Sequence, residues 1–194
     1  MIPCGFLYHT YSTFTMSEAT IVETAGNKIE NNQKIVPCLW FDNQAEDAVK
    51  FYVSIFKNSS IDGVVRYGNE GFEIHHMKEG TVMTMDFKIE GQRFIALNGG
   101  PVFKFNEAIS FQVYCETQQK VDYYWEKLSE GGDPNAQQCG WLKDKYGVSW
   151  QVIPTILIKM LKDQDSNKSQ KVMKTMLQMK KIDIQSLSHA YEQA

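Results

Sequence analysis

Alternation of apolar and polar side chains marks the clearest strands of this chain. From Thr81 to Glu90 apolar residues take the odd positions, and polar residues lie between several of them. A period of two is typical of a half-buried strand. Ala108 to Cys115 alternates in the same way, and apolar runs predict further strands at 34–41, 61–67, 93–98, 139–143 and 148–153. Residues 68–80 read as a loop with a short strand at 73–75.

Helical spacing replaces this alternation between the strands. Apolar residues recur every three or four positions over 44–56 and again from Val121 to Leu128, which predicts two amphipathic helices. We predict that Asn43 caps the first helix and Thr117 the second, because short polar side chains accept hydrogen bonds from the first N–H groups of a helix. The chain after Thr155 is predicted to be helical, with Asp183 capping the last helix.

The order strand, cap, helix, strands occurs twice, at a separation of about 70 residues, which suggests duplicated modules. The pattern predicts an α+β protein built from two similar modules of strands and a helix, at about 34–101 and 107–154, followed by a C-terminal helical tail. It divides the chain into a loosely ordered extension (1–33), a paired-module domain (34–154) and a helical tail (155–194).

Composition removes several classes of partner. The net charge is −3 and 22% of the residues are charged, with no cluster of basic residues that could neutralise nucleic-acid phosphates. No apolar run approaches the roughly 20 residues of a membrane span. Lys28 is the first basic residue, so secretory and organelle-import signals are not expected. Four separated cysteines (Cys4, Cys38, Cys115 and Cys139) indicate free thiols. We therefore expect a cytoplasmic protein that binds neither nucleic acid nor a membrane.

Three segments resemble a known family. They are WFDNQAEDAVKFYVSIFKNS, FIALNGGPVFKFNEAISFQVYC and QCGWLKDKYGVSWQVIPT, which begin at Trp40, Phe94 and Gln138. They are similar to the PhnB-like branch of the vicinal-oxygen-chelate superfamily of glyoxalases, extradiol dioxygenases and bleomycin-resistance proteins, whose members often carry the label 3-demethylubiquinone-9 3-methyltransferase-like. The resemblance implies paired βαβββ modules whose sheets curl into a cup, and a homodimer.

The same resemblance implies where a metal ion would bind in this superfamily, namely at His, Glu or Gln on the first and last strands of each module. Here the first strand offers none of these, the fourth strand ends in Asn98, and the second module offers Gln112 and Gln151. Neutral amides are poor metal ligands, so we predict no metal site and no cofactor. His75 and His76 are expected to be solvated loop residues, and Asp144 a turn residue rather than a base.

The polar positions of the alternating strands supply a candidate ligand site. If the apolar positions pack on the helices, the polar ones line the cup, and aromatic residues form its rim. The predicted ligand-binding residues are Trp40, Asp86, Asn98, Gln112, Trp141 and Gln151. The alternative is that the amides satisfy one another or water, and that the aromatic residues pack in the core.

The leading functional hypothesis is a protein that binds a small organic molecule in a metal-free cup. The alternative is a divergent enzyme of the same superfamily: a metal-dependent lyase or dioxygenase, or a methyltransferase as the label suggests. No glycine-rich turn for S-adenosylmethionine is present in the sequence. A third hypothesis is an interaction protein whose Met-rich tail docks a partner, although Met-rich helical stripes more often serve packing within the protein.

Overall fold

The first module contains four strands and the helix that covers them. The structure, a computed structural model, describes residues 33–194, so the predicted extension 1–33 lies outside the described residues except for Gln33. In chain order the elements are β1 (Cys38–Phe41), α1 (Ala45–Ile55), β2 (Ser60–Arg66), α2 (Phe72–His75), β3 (Val82–Ile89) and β4 (Gln92–Asn98). The strand order is β1-β4-β3-β2, with β1 parallel to β4 and the other pairs antiparallel.

The alternation along β3 separates the two faces of this sheet, as the sequence predicts. Phe87 is fully buried, whereas its neighbour Asp86 is partly exposed. Strand register extends this division, because directly opposite residues share a face. The packed face of the first sheet carries Leu39, Phe41, Met85, Phe87, Ile89, Phe94, Ala96 and Asn98, and its open face carries Cys38, Trp40, Thr84, Asp86, Lys88, Arg93, Ile95 and Leu97.

The second module repeats this topology with one strand fewer among the described residues. Its elements are β5 (Phe111–Cys115), α3 (Gln118–Ser129), β6 (Trp141–Lys143) and β7 (Ser149–Pro154). The strand order is β5-β7-β6, with β5 parallel to β7. A 3₁₀ turn at Pro134–Ala136 occupies the chain position of the second strand. The α+β class and the repeated module are confirmed, and the difference is that the second sheet has three strands.

The second sheet also has two distinct faces. Its packed face carries Phe111, Val113, Cys115, Leu142, Trp150, Val152 and Pro154, and its open face carries Gln112, Tyr114, Trp141, Lys143, Ser149, Gln151 and Ile153. Both packed faces contribute to one hydrophobic core together with α1 and α3. Tyr52 of α1 lies 5.5 Å, centroid to centroid, from Trp150 of β7, and Phe94 of β4 lies 5.3 Å from Phe111 of β5. The two modules are therefore joined through their helical sides.

The helical tail forms a smaller core of its own. Its helices are α4 (Thr155–Leu161), α5 (Ser166–Met176) and α6 (Ile184–Glu192), and Asp183 caps α6 as predicted, accepting a 2.7 Å hydrogen bond from Ser186 N. Leu157, Met160, Val172, Ile182 and Leu187 make up this core. The segment before α6 also binds the second module, since Cys139 N donates to Met179 O and Gly140 N to Lys180 O, each at 2.8 Å. The tail is thus docked on β6 and α3.

Several local predictions differ from the structure. The predicted strand 34–41 begins only at Cys38, directly after Pro37, whose ring nitrogen cannot donate to a ladder. The predicted strand at 73–75 is instead part of α2. Thr117 caps α3 as predicted, but Asn43 does not cap α1. No helix within residues 33–194 is long and apolar enough to cross a membrane.

Candidate functional site

Both sheets contribute their packed faces to the shared core, and their open faces belong to two separate sheets. The predicted ligand residues on these open faces are therefore divided between the two sheets. Trp40 and Asp86 are on the open face of the first sheet, and Gln112, Trp141 and Gln151 are on the open face of the second.

Trp40 is held in a defined orientation on the first open face. Its Nε1 donates a 2.9 Å hydrogen bond to Gly100 O, and its ring meets Phe103 edge-on at 5.0 Å. Only glycine fits beneath the ring, since a Cβ at Gly99 would lie 2.2 Å from Trp40 Cζ2. The partly exposed indole therefore presents a fixed aromatic surface that a ligand could contact.

Asp86 is paired with a neighbouring cation on the same open face. Arg93 Nε donates a 2.7 Å hydrogen bond to Asp86 Oδ1, and a second guanidinium nitrogen completes an ion pair. Both side chains are about one third exposed. The pair can present either donors or acceptors to a polar ligand, and the carboxylate is already engaged.

The amides on the second open face are linked to one another. Gln112 Nε2 donates to Gln151 Oε1 at 3.2 Å, and Gln151 Nε2 donates to Ser110 Oγ at 2.8 Å. The hydroxyl of Tyr114 also donates to Gln112 Oε1, at 2.6 Å. This arrangement agrees with the alternative interpretation, in which the amide side chains form hydrogen bonds with one another. Gln112 remains exposed, so the network can still exchange these bonds for bonds to a ligand.

The prediction that Asn98 lines the cup is wrong. Its register places it on the packed face beside Phe94 and Ala96, and it is 1% exposed. Asn98 Oδ1 accepts a 2.8 Å hydrogen bond from Ala45 N at the start of α1, and Nδ2 donates to Val82 O at 2.9 Å. Asn98 therefore supplies the cap of α1 that the sequence pattern assigns to Asn43. Its polarity is explained by backbone groups and not by a ligand.

Asp144 lies in the turn between β6 and β7, as expected, but it is also buried at the junction of the modules. Its Oδ2 accepts 2.8 Å hydrogen bonds from Tyr52 Oη and Trp150 Nε1, and its Oδ1 accepts from Tyr146 N and Val148 N. Burial raises the pKa of Asp144, and the four donors counteract part of this effect. A carboxylate with all its donors inside the protein is a structural link between modules.

The donor chemistry of the described residues does not fit a metal centre. Within residues 33–194, no three His, Cys, Asp or Glu side chains are grouped so that they could hold an ion. The adjacent histidines have other surroundings: His75 Nδ1 accepts from Met77 N at 3.0 Å, and its ring lies 4.4 Å from that of Tyr67. The other ring nitrogen, Nε2, lies 3.1 Å from Glu70 O.

A cavity of about 420 Å³ opens beside β6 on the second module. Trp141, Lys143 and Ser149 of the open face line it, together with Glu107 from the segment that leads into β5. The ammonium group of Lys143 forms an ion pair with the Glu107 carboxylate. Ser149 is 2% exposed, and its hydroxyl has no hydrogen-bond partner among the described residues. Alternation along β7 predicts the face of Ser149 correctly but cannot show that its hydroxyl is unpaired.

Comparison with known proteins places the fold. A family model described as 3-demethylubiquinone-9 3-methyltransferase matches residues 33–153, and no curated protein matches the chain. A solved structure described as a putative 3-demethylubiquinone-9 3-methyltransferase, PhnB protein, from Bacillus cereus is 38% identical over 63% of this chain and 100% of its own, with a TM-score of 0.54. The family match ends within β7, before the helical tail.

Two further solved structures are more distant. Protein PA1353 from Pseudomonas aeruginosa is 17% identical over 62% of this chain and 96% of its own, with a TM-score of 0.48. The fosfomycin resistance protein FosX from Listeria monocytogenes is 13% identical over 62% of this chain and 90% of its own, with a TM-score of 0.40.

Proposed function

Because the chain belongs to the 3-demethylubiquinone-9 3-methyltransferase family, the PhnB-like branch of the vicinal-oxygen-chelate superfamily, we propose that it binds a small organic molecule without a metal ion. The cup that holds the ligand forms between two copies of the chain. Trp40 and Asp86 of one copy face Gln112, Trp141 and Gln151 of the other. Such a homodimer would act in the cytoplasm, where its cysteines stay reduced.

One observation supports this arrangement above the others. The strands of the two modules form two separate sheets over a single core, so no strand pairing within one chain joins the two open faces. Each open face nevertheless carries aromatic and hydrogen-bonding side chains at partly exposed positions. Opposing the first open face of one copy to the second open face of another would bury these residues around a common space, which is the concave, mixed polar and apolar surface that small ligands require.

The chemistry of these residues favours a ligand recognised by hydrogen bonds and stacking. Gln112 and Gln151 both donate and accept, and the Trp40 ring is held rigidly by Gly100. A ligand can replace the hydrogen bonds that the two glutamines form with each other. The alternative, a divergent enzyme of the superfamily, would require bound metal or S-adenosylmethionine in the purified protein, which elemental analysis and binding measurements would detect.

A ligand screen by thermal denaturation tests the binding function. A compound present at 100 times its Kd should stabilise the folded state by about 2.7 kcal/mol, a readily measured shift in Tm. Gln151→Leu should reduce the shift because it removes both the donor and the acceptor on β7. Gln119→Leu, the same change at an exposed position of α3, should leave the shift unchanged. If Mn, Ni or Zn raises Tm and no organic compound does, metal-free binding is wrong.

Sedimentation equilibrium tests the assembly. We expect a mass of twice 22.3 kDa at micromolar concentration. Trp40→Asp places a charge on the proposed interface, so it should lower the dimer affinity and the ligand response together. A protein that remains monomeric at high concentration and still binds ligand would contradict the shared cup while leaving small-molecule binding in place.

A further inference from the structure

The cavity beside β6 has the composition of an anion-recognition site with an apolar wall. β6 is the edge strand of the second sheet, and its register sets Lys143 directly opposite Ser149 on the open face. Directly opposite residues have Cβ atoms about 4.5–5.5 Å apart, so an ammonium and a hydroxyl can approach one small group from two sides. Trp141, two residues before Lys143, lines the same cavity on the same face.

The unpaired hydroxyl of Ser149 is the first sign of a missing partner. Buried polar atoms are nearly always hydrogen-bonded, and an exception calls for an explanation. Ser149 Oγ is the one exception among the buried side-chain atoms of residues 33–194. Gln151, its neighbour on the same face of β7, already donates to Ser110, so the amide network of the open face does not serve Ser149. A ligand oxygen in the cavity would supply the absent acceptor.

The ion pair of Lys143 indicates that the ligand oxygen would belong to an anionic group. Its partner Glu107 lies between β4 and β5, outside any helix or strand, and its side chain is 59% exposed. The Lys143 side chain is 25% exposed, but the Glu107 end of the pair is in contact with solvent, so water can replace the ammonium as the partner of this carboxylate. Glu107 thus pairs Lys143 with a carboxylate, the same chemical group that an acidic ligand would carry.

We propose that this cavity binds the carboxylate of a small organic acid. Lys143 Nζ and Ser149 Oγ donate to the carboxylate oxygens, and Trp141 packs against the apolar part of the molecule. Glu107 is an internal competitor that holds the ammonium when no ligand is bound. This inference deepens the proposed function and rests on it, because Trp141 is part of the proposed cup.

Isothermal titration of the full chain with acids and their neutral amides tests the proposal. The probes are benzoate and hexanoate, compared with benzamide and hexanamide. We expect each acid to bind about tenfold more tightly than its amide, the difference that one charge-assisted hydrogen bond makes. Lys143→Met should weaken benzoate about tenfold for the same reason. Lys127→Met, which removes an equal charge from an exposed position of α3, should have no effect.

Two further variants separate recognition from structure. Ser149→Ala should raise Tm slightly in the absence of ligand, because it removes a buried hydroxyl without a partner, yet it should weaken benzoate binding. A merely structural serine would not produce these opposite signs. Glu107→Gln should tighten benzoate binding several-fold, since the competing charge is gone. The Trp141 indole N–H signal in the NMR spectrum should shift on titration, because this residue lines the cavity.

The possible failures are distinguishable. If amides bind as tightly as acids, or if acids bind equally to Lys143→Met, the carboxylate site is wrong while small-molecule binding stands. If neither the acids nor any compound of the thermal screen binds, both proposals fail. If Glu107→Gln leaves the benzoate affinity unchanged, the role of Glu107 as internal competitor is wrong, and if it weakens that affinity, the carboxylate site itself is.

Discussion

Asn98 connects three elements through one side chain. Its oxygen accepts from the first N–H of α1, and its nitrogen donates to the β3 carbonyl of Val82. In the sequence it reads as a polar residue at the end of a strand, and Asn43 has the more typical position for a helix cap. The contribution of each asparagine to stability therefore depends on its tertiary surroundings and not on its position in the sequence pattern.

Substituting Asn98 tests this at the residue scale. Asn98→Ala should lower the free energy of unfolding by about 1–3 kcal/mol, because it leaves a buried N–H and a buried C=O without partners. Asn43→Ala is the matched control, and as an exposed position it should change stability by less than about 0.5 kcal/mol. Urea denaturation measures both. Equal losses in the two variants would contradict the assignment of the cap to Asn98.

Residues just before β6 contact the helical tail, which is distant from β6 in the chain. The consecutive N–H groups of Cys139 and Gly140, just before β6, donate to the tail carbonyls of Met179 and Lys180. Gly140 has a φ of +85°, and a Cβ there would lie 2.9 Å from Val152 O and 3.2 Å from Ile182 Cγ1. Its glycine is thus required both by backbone conformation and by close packing. The tail contributes to the fold of the second module.

Two glycine substitutions separate these effects at the element scale. Gly80 has nearly the same φ, +83°, but a Cβ added there would meet no other atom within 4 Å. Gly80→Ala should therefore cost only the conformational penalty of about 1–2 kcal/mol. Gly140→Ala should cost about 1–3 kcal/mol more, because neighbouring atoms must also move. Thermal unfolding monitored by circular dichroism measures the difference, and equal costs would argue against close packing around Gly140.

At the scale of the whole molecule, the shared core makes the two modules one folding unit. Tyr52 of the first module bonds to Asp144 of the second, and its ring also contacts Trp150. Because these contacts cross between modules, loss of either module exposes the packed face of the other. The open faces lie outside this core, so the ligand binding that we propose would use the opposite sides of the same sheets.

Tyr52→Phe should therefore destabilise both modules together. It removes one hydrogen bond to a buried carboxylate, which corresponds to about 1.5–3 kcal/mol. Tyr123→Phe is the control, since it removes a hydrogen bond to the Ile55 carbonyl at a more exposed site and should cost about 0.5–1.5 kcal/mol. Denaturation followed separately by Trp40 and Trp150 fluorescence, in single-tryptophan backgrounds, should give coincident transitions. Two separate transitions would refute a common core.

Asp144 should also impose a pH dependence on stability. Burial raises its pKa in the folded state above the ordinary value, so the folded protein holds this proton to higher pH than the unfolded chain does. Its contribution to the free energy of unfolding is therefore largest at low pH and falls as pH rises above about 3.9, the pKa of an exposed aspartate. Compared with Asp144→Asn, the wild type should lose stability as pH rises from about 3.9 to the pKa of the folded form, as measured by urea denaturation at each pH. A constant difference would contradict a raised pKa.

Local patterns in the sequence determined the elements and the repeated module. The alternation along β3, the cap at Thr117 and the cap at Asp183 depend on residues within a few positions of one another, so they are legible before folding. The segments around Trp40 and Gln138 likewise indicated the family, which the match over 33–153 confirmed. The ligand-binding roles of Trp40, Asp86, Gln112, Trp141 and Gln151 stay predictions.

Contacts between distant residues decided the rest. Asn98 lies on the packed face because the β4 register, and not its polarity, sets its direction. Both packed faces bury their apolar side chains in a single core, because burying apolar area together removes more surface from water than two separate cores would. The Ser149 hydroxyl has no hydrogen-bond partner among the described residues, and this depends on the tertiary positions of β6, β7 and the segment around Glu107. The period of two shows which face of a strand is apolar. Only tertiary packing determines which other elements contact the apolar face and which residues surround the polar face.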